Sequence, residues 1–171
     1  KLFREALENS TGYTQARVNL ALILAGRGDL QEARKDLETA LSTEPANVKA
    51  LTALGMVQGR LGEATAVETF RKVVRLNPKS PEAYLNLGIA LADRSQKDAA
   101  LVEFSKAVEL APDSAAAHYN KGRLLTDLHR YAEAVPDLEA ACRLAPDTSP
   151  DAFFRLGLSQ RELRHYEESA A

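Results

Sequence analysis

Apolar residues recur along this chain at helical spacing, in blocks that come in pairs. Tyr84, Leu87, Gly88 and Leu91 fall at i, i+3, i+4 and i+7, the spacing that lines one face of a helix. Ala100, Leu101, Phe104, Ala107 and Val108 repeat the pattern on a second helix. Between the blocks lies a polar turn, Asp93-Arg94-Ser95-Gln96, in which Ser95 or Gln96 would cap the second helix. Ser80-Pro81 opens the first helix, with Ser as N-cap and Pro where a missing N–H costs nothing. Pro112 stops the second helix, and Asp113-Ser114 supplies capping oxygens for the next one. The predicted unit is a helix hairpin.

That unit is repeated. Prolines fall at Pro45, Pro78, Pro112 and Pro146, which are 33, 34 and 34 residues apart. Small residues keep step at Ala21, Gly55, Gly88, Gly122 and Gly157, and again at Ala33, Ala66, Ala100, Ala134 and Ser169. A bulky series, Leu37, Phe70, Phe104 and Leu138, is followed three residues on by Ala40, Val73, Ala107 and Ala141. Small residues at fixed places let paired helices approach closely, where a large side chain would wedge them apart.

The run Tyr84-Leu85-Asn86-Leu87-Gly88, followed by Ala100, Phe104, Ala107 and Pro112, resembles the tetratricopeptide repeat family. The resemblance covers nearly the whole chain and divides it at 14–47, 48–80, 81–114, 115–149 and 150–171. The last repeat is expected to end early in its second helix, and residues 1–13, with Phe3 and Ala6, to be the second helix of a repeat lacking its first. The implied fold is all-α: a right-handed superhelical solenoid of stacked antiparallel hairpins forming one continuous domain. Several positions depart from the family pattern. Arg17 and His118 take the first bulky place, Lys121 stands where Leu is usual, the second repeat is one residue short, and Ser149 is extra. Pro136 falls inside a second helix, where it removes a hydrogen bond to the Ala132 carbonyl and predicts a mild bend or a late start.

Composition narrows the function classes. Hydrophobic residues make up 45% and aromatics only 6% of 171 residues, and Ala and Leu together supply roughly a third. A helical array packed through small side chains needs that balance, whereas a sheet protein would use more β-branched and aromatic residues. The net charge of −2 offers no general attraction to nucleic acid. No apolar run is long enough to insert in a membrane. The single cysteine, Cys142, excludes a disulfide framework within the chain, and its usage together with the lack of a signal peptide favours the cytoplasm.

The resemblance implies that the first helices line a concave groove at the second, fifth, sixth, ninth and twelfth places of each repeat. The sixth series is Asn19, Ala53, Asn86, Asn120 and Arg155; the fifth is Val18, Thr52, Leu85, Tyr119 and Phe154; the ninth is Leu22, Met56, Ile89, Arg123 and Leu158. A row of amides can both donate to and accept from the backbone of an extended peptide, whatever its sequence. Family members that transfer N-acetylglucosamine use such an asparagine ladder. Against this stands the plainer reading that the amides make polar contacts between adjacent helices. A second family mode, a clamp of lysines, asparagines and an arginine on a C-terminal carboxylate, would keep only Asn120 and Arg155, since Leu85, Ile89 and Asp151 fill its other places. Asp127 and Glu162 can neutralise the nearby Arg155 and Arg161.

No catalytic, metal or cofactor motif emerges. His118, His129 and His165 lack metal-ligand spacing, and Cys142 has no paired base. Gly26 and Gly28 lack the strand and third glycine of a dinucleotide site. Turn chemistry accounts for Arg27-Gly28-Asp29, with Gly28 ending one helix and Asp29 capping the next. Asn9-Ser10-Thr11 fits the glycosylation pattern. The expectation is a non-catalytic scaffold that binds a protein or peptide segment. The alternatives are a spacer or self-association module joining through its open ends, and a regulatory array of a larger enzyme.

Overall fold

The computed structural model describes residues 14–146 and 150–170, with side chains described as far as Arg164. Among these residues the helices are α1 (Thr14–Arg27), α2 (Leu30–Thr43), α3 (Val48–Arg60), α4 (Thr65–Leu76), α5 (Pro81–Asp93), α6 (Lys97–Leu110), α7 (Ala115–Asp127), α8 (Tyr131–Leu144) and α9 (Pro150–Ala170), and there is no strand. The chain divides into two compact units, Lys1–Lys79 with α1–α4 and Ser80–Ala171 with α5–α9. In each unit consecutive helices pair as hairpins; the α1–α2 hairpin packs on α3, the α5–α6 hairpin on α7 and the α7–α8 hairpin on α9. The helix expected within 1–13 and the Asn9 acceptor lie outside the described residues, as do Ser149 and the side chain of His165.

Two kinds of joint build the array. Within each hairpin the turn is closed by the backbone. Gly28 (φ 94°), Gly62 (φ 71°), Ser95 (φ 59°) and His129 (φ 58°) all lie in the left-handed region, and each is the fifteenth residue of its repeat. The next N–H reaches back five residues: Asp29 to the Leu24 carbonyl, Glu63 to Gln58, Gln96 to Leu91 and Arg130 to Leu125, at 2.9–3.0 Å. This is the Schellman arrangement, which satisfies the last carbonyls of a helix without any side chain. The caps expected from Asp29 and from Ser95 or Gln96 therefore do not form. Asp29 and Gln96 are N-cap residues that make no side-chain cap bond, and Ser95 is spent on the left-handed turn. Between repeats, by contrast, side chains cap. Asn47 accepts from the Ala50 N–H, Ser80 from Ala83 and Ser114 from Ala117.

The hairpins close on small residues. A Cβ placed on Gly55, Gly88 or Gly122 would lie 2.7, 2.5 or 2.7 Å from Phe70, Phe104 or Leu138, respectively, on the second helix of the same hairpin. Around each bulky residue stand small or branched partners, such as Ala100 and Ala107 about Phe104, and all are buried. Burying a side chain of that size contributes about 2–3 kcal/mol, and the absence of a Cβ opposite lets the ring lie directly on the helix backbone. In the first hairpin Ala21 takes the glycine's place opposite Leu37, and both are fully buried.

Two elements differ from expectation in detail. α8 runs through Pro136 from Tyr131 to Leu144, so the late start does not occur; one lost bond is outweighed by the buried Ala134, Leu138 and Ala141. α9 does not turn at its fifteenth residue. It continues through Arg164 to Ala170 as one helix, so the residues expected to begin a second helix prolong the first. Arginine in a left-handed turn would cost roughly 1–2 kcal/mol.

Three substitutions follow. Gly88→Ala is expected to lower stability by about 1–3 kcal/mol in urea unfolding, because the fully buried Phe104 ring has nowhere to swing. Gly59→Ala, where a Cβ meets nothing, raises stability by up to about 1 kcal/mol. In the turns, Ser95→Gly is expected to stabilise by about 1 kcal/mol in the same assay, since it removes the left-handed penalty.

Candidate binding faces on the first helices

In the second unit the polar side chains of α7 and α9 form a linked set. Arg155 donates through Nε to Asp151 Oδ2 at 2.6 Å and through Nη1 to Asp127 Oδ1 at 2.7 Å. Tyr119 donates its hydroxyl to the same Asp151 oxygen at 2.6 Å. The Tyr119 hydroxyl, and then Arg155, hold the Asp151 carboxyl below the usual carboxylate range against the opposing effect of burial. Burial first, then Asp151, pushes Tyr119 up from its ordinary value of 10. Arg161 pairs with Glu162 at 2.9 Å. Arg155 and Arg161 are thus each paired with carboxylates, which occupies their guanidinium groups.

The amides expected to form a ladder stand in three different states. Asn120 donates to the Ala116 carbonyl of its own helix at 2.8 Å and accepts from Arg123 Nη2 at 3.4 Å; the buried Nε of Arg123 has no partner among the described residues. In the first unit, Asn19 Oδ1 accepts from Gln15 Nε2 at 3.0 Å and from Lys49 Nζ at 3.1 Å, joining α1 to α3, so its Nδ2 donors are left over. Asn86 is half-buried and has no hydrogen-bond partner among the described residues. Thr52 turns its hydroxyl to the Val48 carbonyl of its own helix at 2.9 Å.

The apolar positions divide in the same way. The ninth series faces outward in the first unit, where Leu22 and Met56 are exposed, and is half-buried in the second at Ile89, Arg123 and Leu158. The fifth series is corrected at its first member. Val18 is 0% exposed, packed in a core with Ala21, Leu24, Ala50 and Ala53, and offers nothing to a ligand. Its place lies where the next first helix comes over, and α3 covers it. Thr52, Leu85 and Tyr119 are half-buried, and Tyr119 packs on Ala141, Cys142 and Ala152. Phe154, with no first helix after it among the described residues, is 70% exposed.

One polar centre has no counterpart in the expected site. Asp137 on α8 is buried, bonded to His118 Nδ1 at 2.7 Å and paired with Lys121 Nζ at 2.8 Å. His118 Nε2 also meets the Pro112 carbonyl at 3.1 Å. The two departures from the repeat pattern on α7 therefore serve one carboxylate on the facing helix, and the buried charge is compensated rather than free. The signal was present in the sequence as two polar residues on one packing face. His129 Nδ1 bonds the Tyr131 hydroxyl at 2.6 Å. Cys142 is buried, and that burial raises its thiol pKa. Among the described residues no cluster could hold a metal ion and no helix is long and apolar enough to cross a membrane.

Paired helices closed on glycines, left-handed turns and capped junctions together define a helical-repeat protein. Profiles of the tetratricopeptide repeat match residues 64–115, 97–149 and 119–171, and another matches 14–43. The chain belongs to the tetratricopeptide repeat family, and its fold is the family's helix-hairpin solenoid. Among solved structures, MamA is similar at 25% identity with a TM-score of 0.79, over 92% of this chain and 86% of that one. YrrB, described as a tetratricopeptide repeat protein with an unusual peptide-binding site, is similar at 23% identity and a TM-score of 0.76, over 96% and 84%. TTC0263 from Thermus thermophilus is similar at 20% identity and a TM-score of 0.75, over 93% and 87%. No curated protein matches the chain.

The pKa directions fix a pH dependence. Asp151, depressed in the folded state, adds stability above the ordinary carboxylate range that is lost as pH falls through its folded pKa. Tyr119, raised, adds stability below pH 10 that is lost as pH rises through its own. Asp151→Asn is expected to bring the Tyr119 pKa part of the way down, the contribution from burial remaining, in an NMR titration of labelled tyrosine. Asp137→Ala is expected to cost about 3 kcal/mol in chemical unfolding, since it strips two partners of their buried carboxylate.

Proposed function

We propose that the chain is a non-catalytic scaffold that binds an extended peptide or protein segment on the outward faces of its first helices. The observation that carries this reading is Asn86, a half-buried amide without a hydrogen-bond partner among the described residues, set between Leu85 and Ile89. An amide left unsatisfied beside apolar surface gains most from a backbone N–H and C=O brought to it. Asn120, Arg123, Phe154, Arg155 and Leu158 border that face in the second unit, with the Arg155 guanidinium held in place by its two carboxylates. In the first unit Leu22 and Met56 offer exposed apolar contacts, beside the free donors of Asn19 and the flank of Thr52. The peptide-binding site in the description of YrrB agrees with this use of the fold.

Peptides selected from a random library on the wild-type chain provide the test. Asn86→Ala is expected to weaken them about five- to tenfold, the value of one hydrogen bond at a partly desolvated site. The Asn86→Ala, Asn120→Ala pair should weaken them further while the thermal transition stays in place. Equal affinity for the wild type and both variants removes this mechanism.

A further inference from the structure

Lys49 and Arg60 stand at the second and thirteenth places of the second repeat, on α3, and Met56 lies between them at the ninth. Across the contact of α1 with α3, Lys49 Nζ donates to Asn19 Oδ1 at 3.1 Å and Arg60 Nη1 donates to the Ala25 carbonyl at 2.6 Å. Leu22, at the ninth place of the first repeat, falls between Asn19 and Ala25 on α1. The two cations therefore bracket an apolar strip, in which Leu22 is 43% and Met56 53% exposed. The strip stands off the side by which first helices stack. That side is the third, seventh and tenth places, buried on α3 at Ala50, Leu54 and Val57. Ile23, exposed at the tenth place of α1, belongs to the stacking side and not to the strip.

The charge of this face is one-sided. Neither α1 nor α3 contains Asp or Glu. Elsewhere in the unit Asp36, Glu63 and Glu68 are taken up by Arg17, Arg34 and Arg71. Lys49 and Arg60 are exposed, and their partners are a neutral amide and a neutral carbonyl. Each contact uses one of the several N–H donors that an ammonium or a guanidinium carries, and neither cation meets a carboxylate among the described residues. The second unit has the opposite sign at the same places, with Glu82 and Asp93 on α5, Asp127 on α7, and Asp151 and Glu162 on α9. Resting on the peptide-binding reading of the first helices, we propose that the α1–α3 face binds a segment of another protein in which acidic side chains flank two apolar ones. The carboxylates meet Lys49 and Arg60, the apolar side chains lie on Leu22 and Met56, and the spare Asn19 Nδ2 donors meet a backbone carbonyl. The cations are about 16 Å apart along the axis of α3, which an extended segment spans in five or six residues. Alternate residues of such a segment share one face, so the order acid–x–apolar–x–apolar–x–acid presents all four side chains to the strip.

The probe is the peptide Glu-Ser-Leu-Ser-Leu-Ser-Glu, blocked at both termini and titrated at low salt into the isotope-labelled 171-residue chain, with amide NMR shifts as the readout. The expected result is saturable shifts confined to α1 and α3. Gln in place of both Glu residues of the peptide, or Lys49→Gln with Arg60→Gln in the protein, weakens binding about three- to tenfold, the loss of two exposed ion pairs. Ser in place of both Leu residues weakens it as well. The doubly substituted protein keeps the wild-type thermal transition, since both side chains are exposed, so lost binding is separable from lost folding. Asn86→Ala in the second unit leaves the affinity for this probe unchanged, so this site can fail while the one at Asn86 stands, and the reverse. Absence of saturable shifts, equal affinity for the Glu and Gln peptides, or shifts centred on α5, α7 and α9 overturns the proposal. So does light scattering that shows a dimer of the free chain dissociated by Lys49→Gln with Arg60→Gln, which would make a second copy the occupant.

Discussion

The close approach of paired helices at a residue without a side chain is the constraint on which the rest of the structure depends. Phe70, Phe104 and Leu138 can be fully used as core only because Gly55, Gly88 and Gly122 let them lie against the opposite backbone. A single hairpin has too little interior to be stable alone, so within each unit the surface outside this contact is covered by the neighbouring hairpin or helix. The scarcity of aromatics and the abundance of alanine are consequences. One bulky residue per hairpin is enough, and its neighbours must be small.

The two joints follow from the same geometry. Helices this close must reverse in very few residues, which a left-handed residue accomplishes through backbone hydrogen bonds alone. Successive hairpins are set further along the chain, and there Asn47, Ser80 and Ser114 cap with their side chains. Stacking then leaves one side of each first helix uncommitted to the core. Polar residues on that side pair locally where partners are near, as Arg155 does with Asp127 and Asp151, while Asn86 has no hydrogen-bond partner among the described residues. The capacity to bind is what remains after the packing has been satisfied.

The hairpins were legible in the sequence because their cause is periodic: the 3.6-residue spacing and the recurrence at 34 residues both survive variation at single places. Turn geometry was only half legible. Gly28 and Gly62 announce a left-handed residue, but Ser95 and His129 occupy the same conformation because the hairpin imposes it, not because their chemistry favours it. Register misled at Val18, where a position read as groove lies beneath the following first helix. The partners of Asn19 and Asn120 depend on Lys49 and on the Ala116 carbonyl, and no spacing rule specifies those rotamers. Asp137 was hidden for the opposite reason. His118 and Lys121 look like faults in the pattern until the carboxylate across the hairpin is seen.

The glycine–ring contact is tested most directly by a double-mutant cycle between Gly88 and Phe104 in chemical unfolding. Gly88→Ala should destabilise the chain while the ring is present and stabilise it in the Phe104→Ala background, where only helix propensity is left to act. The same change in stability in both backgrounds would contradict the claim that the ring's seat on a bare backbone holds the hairpin closed.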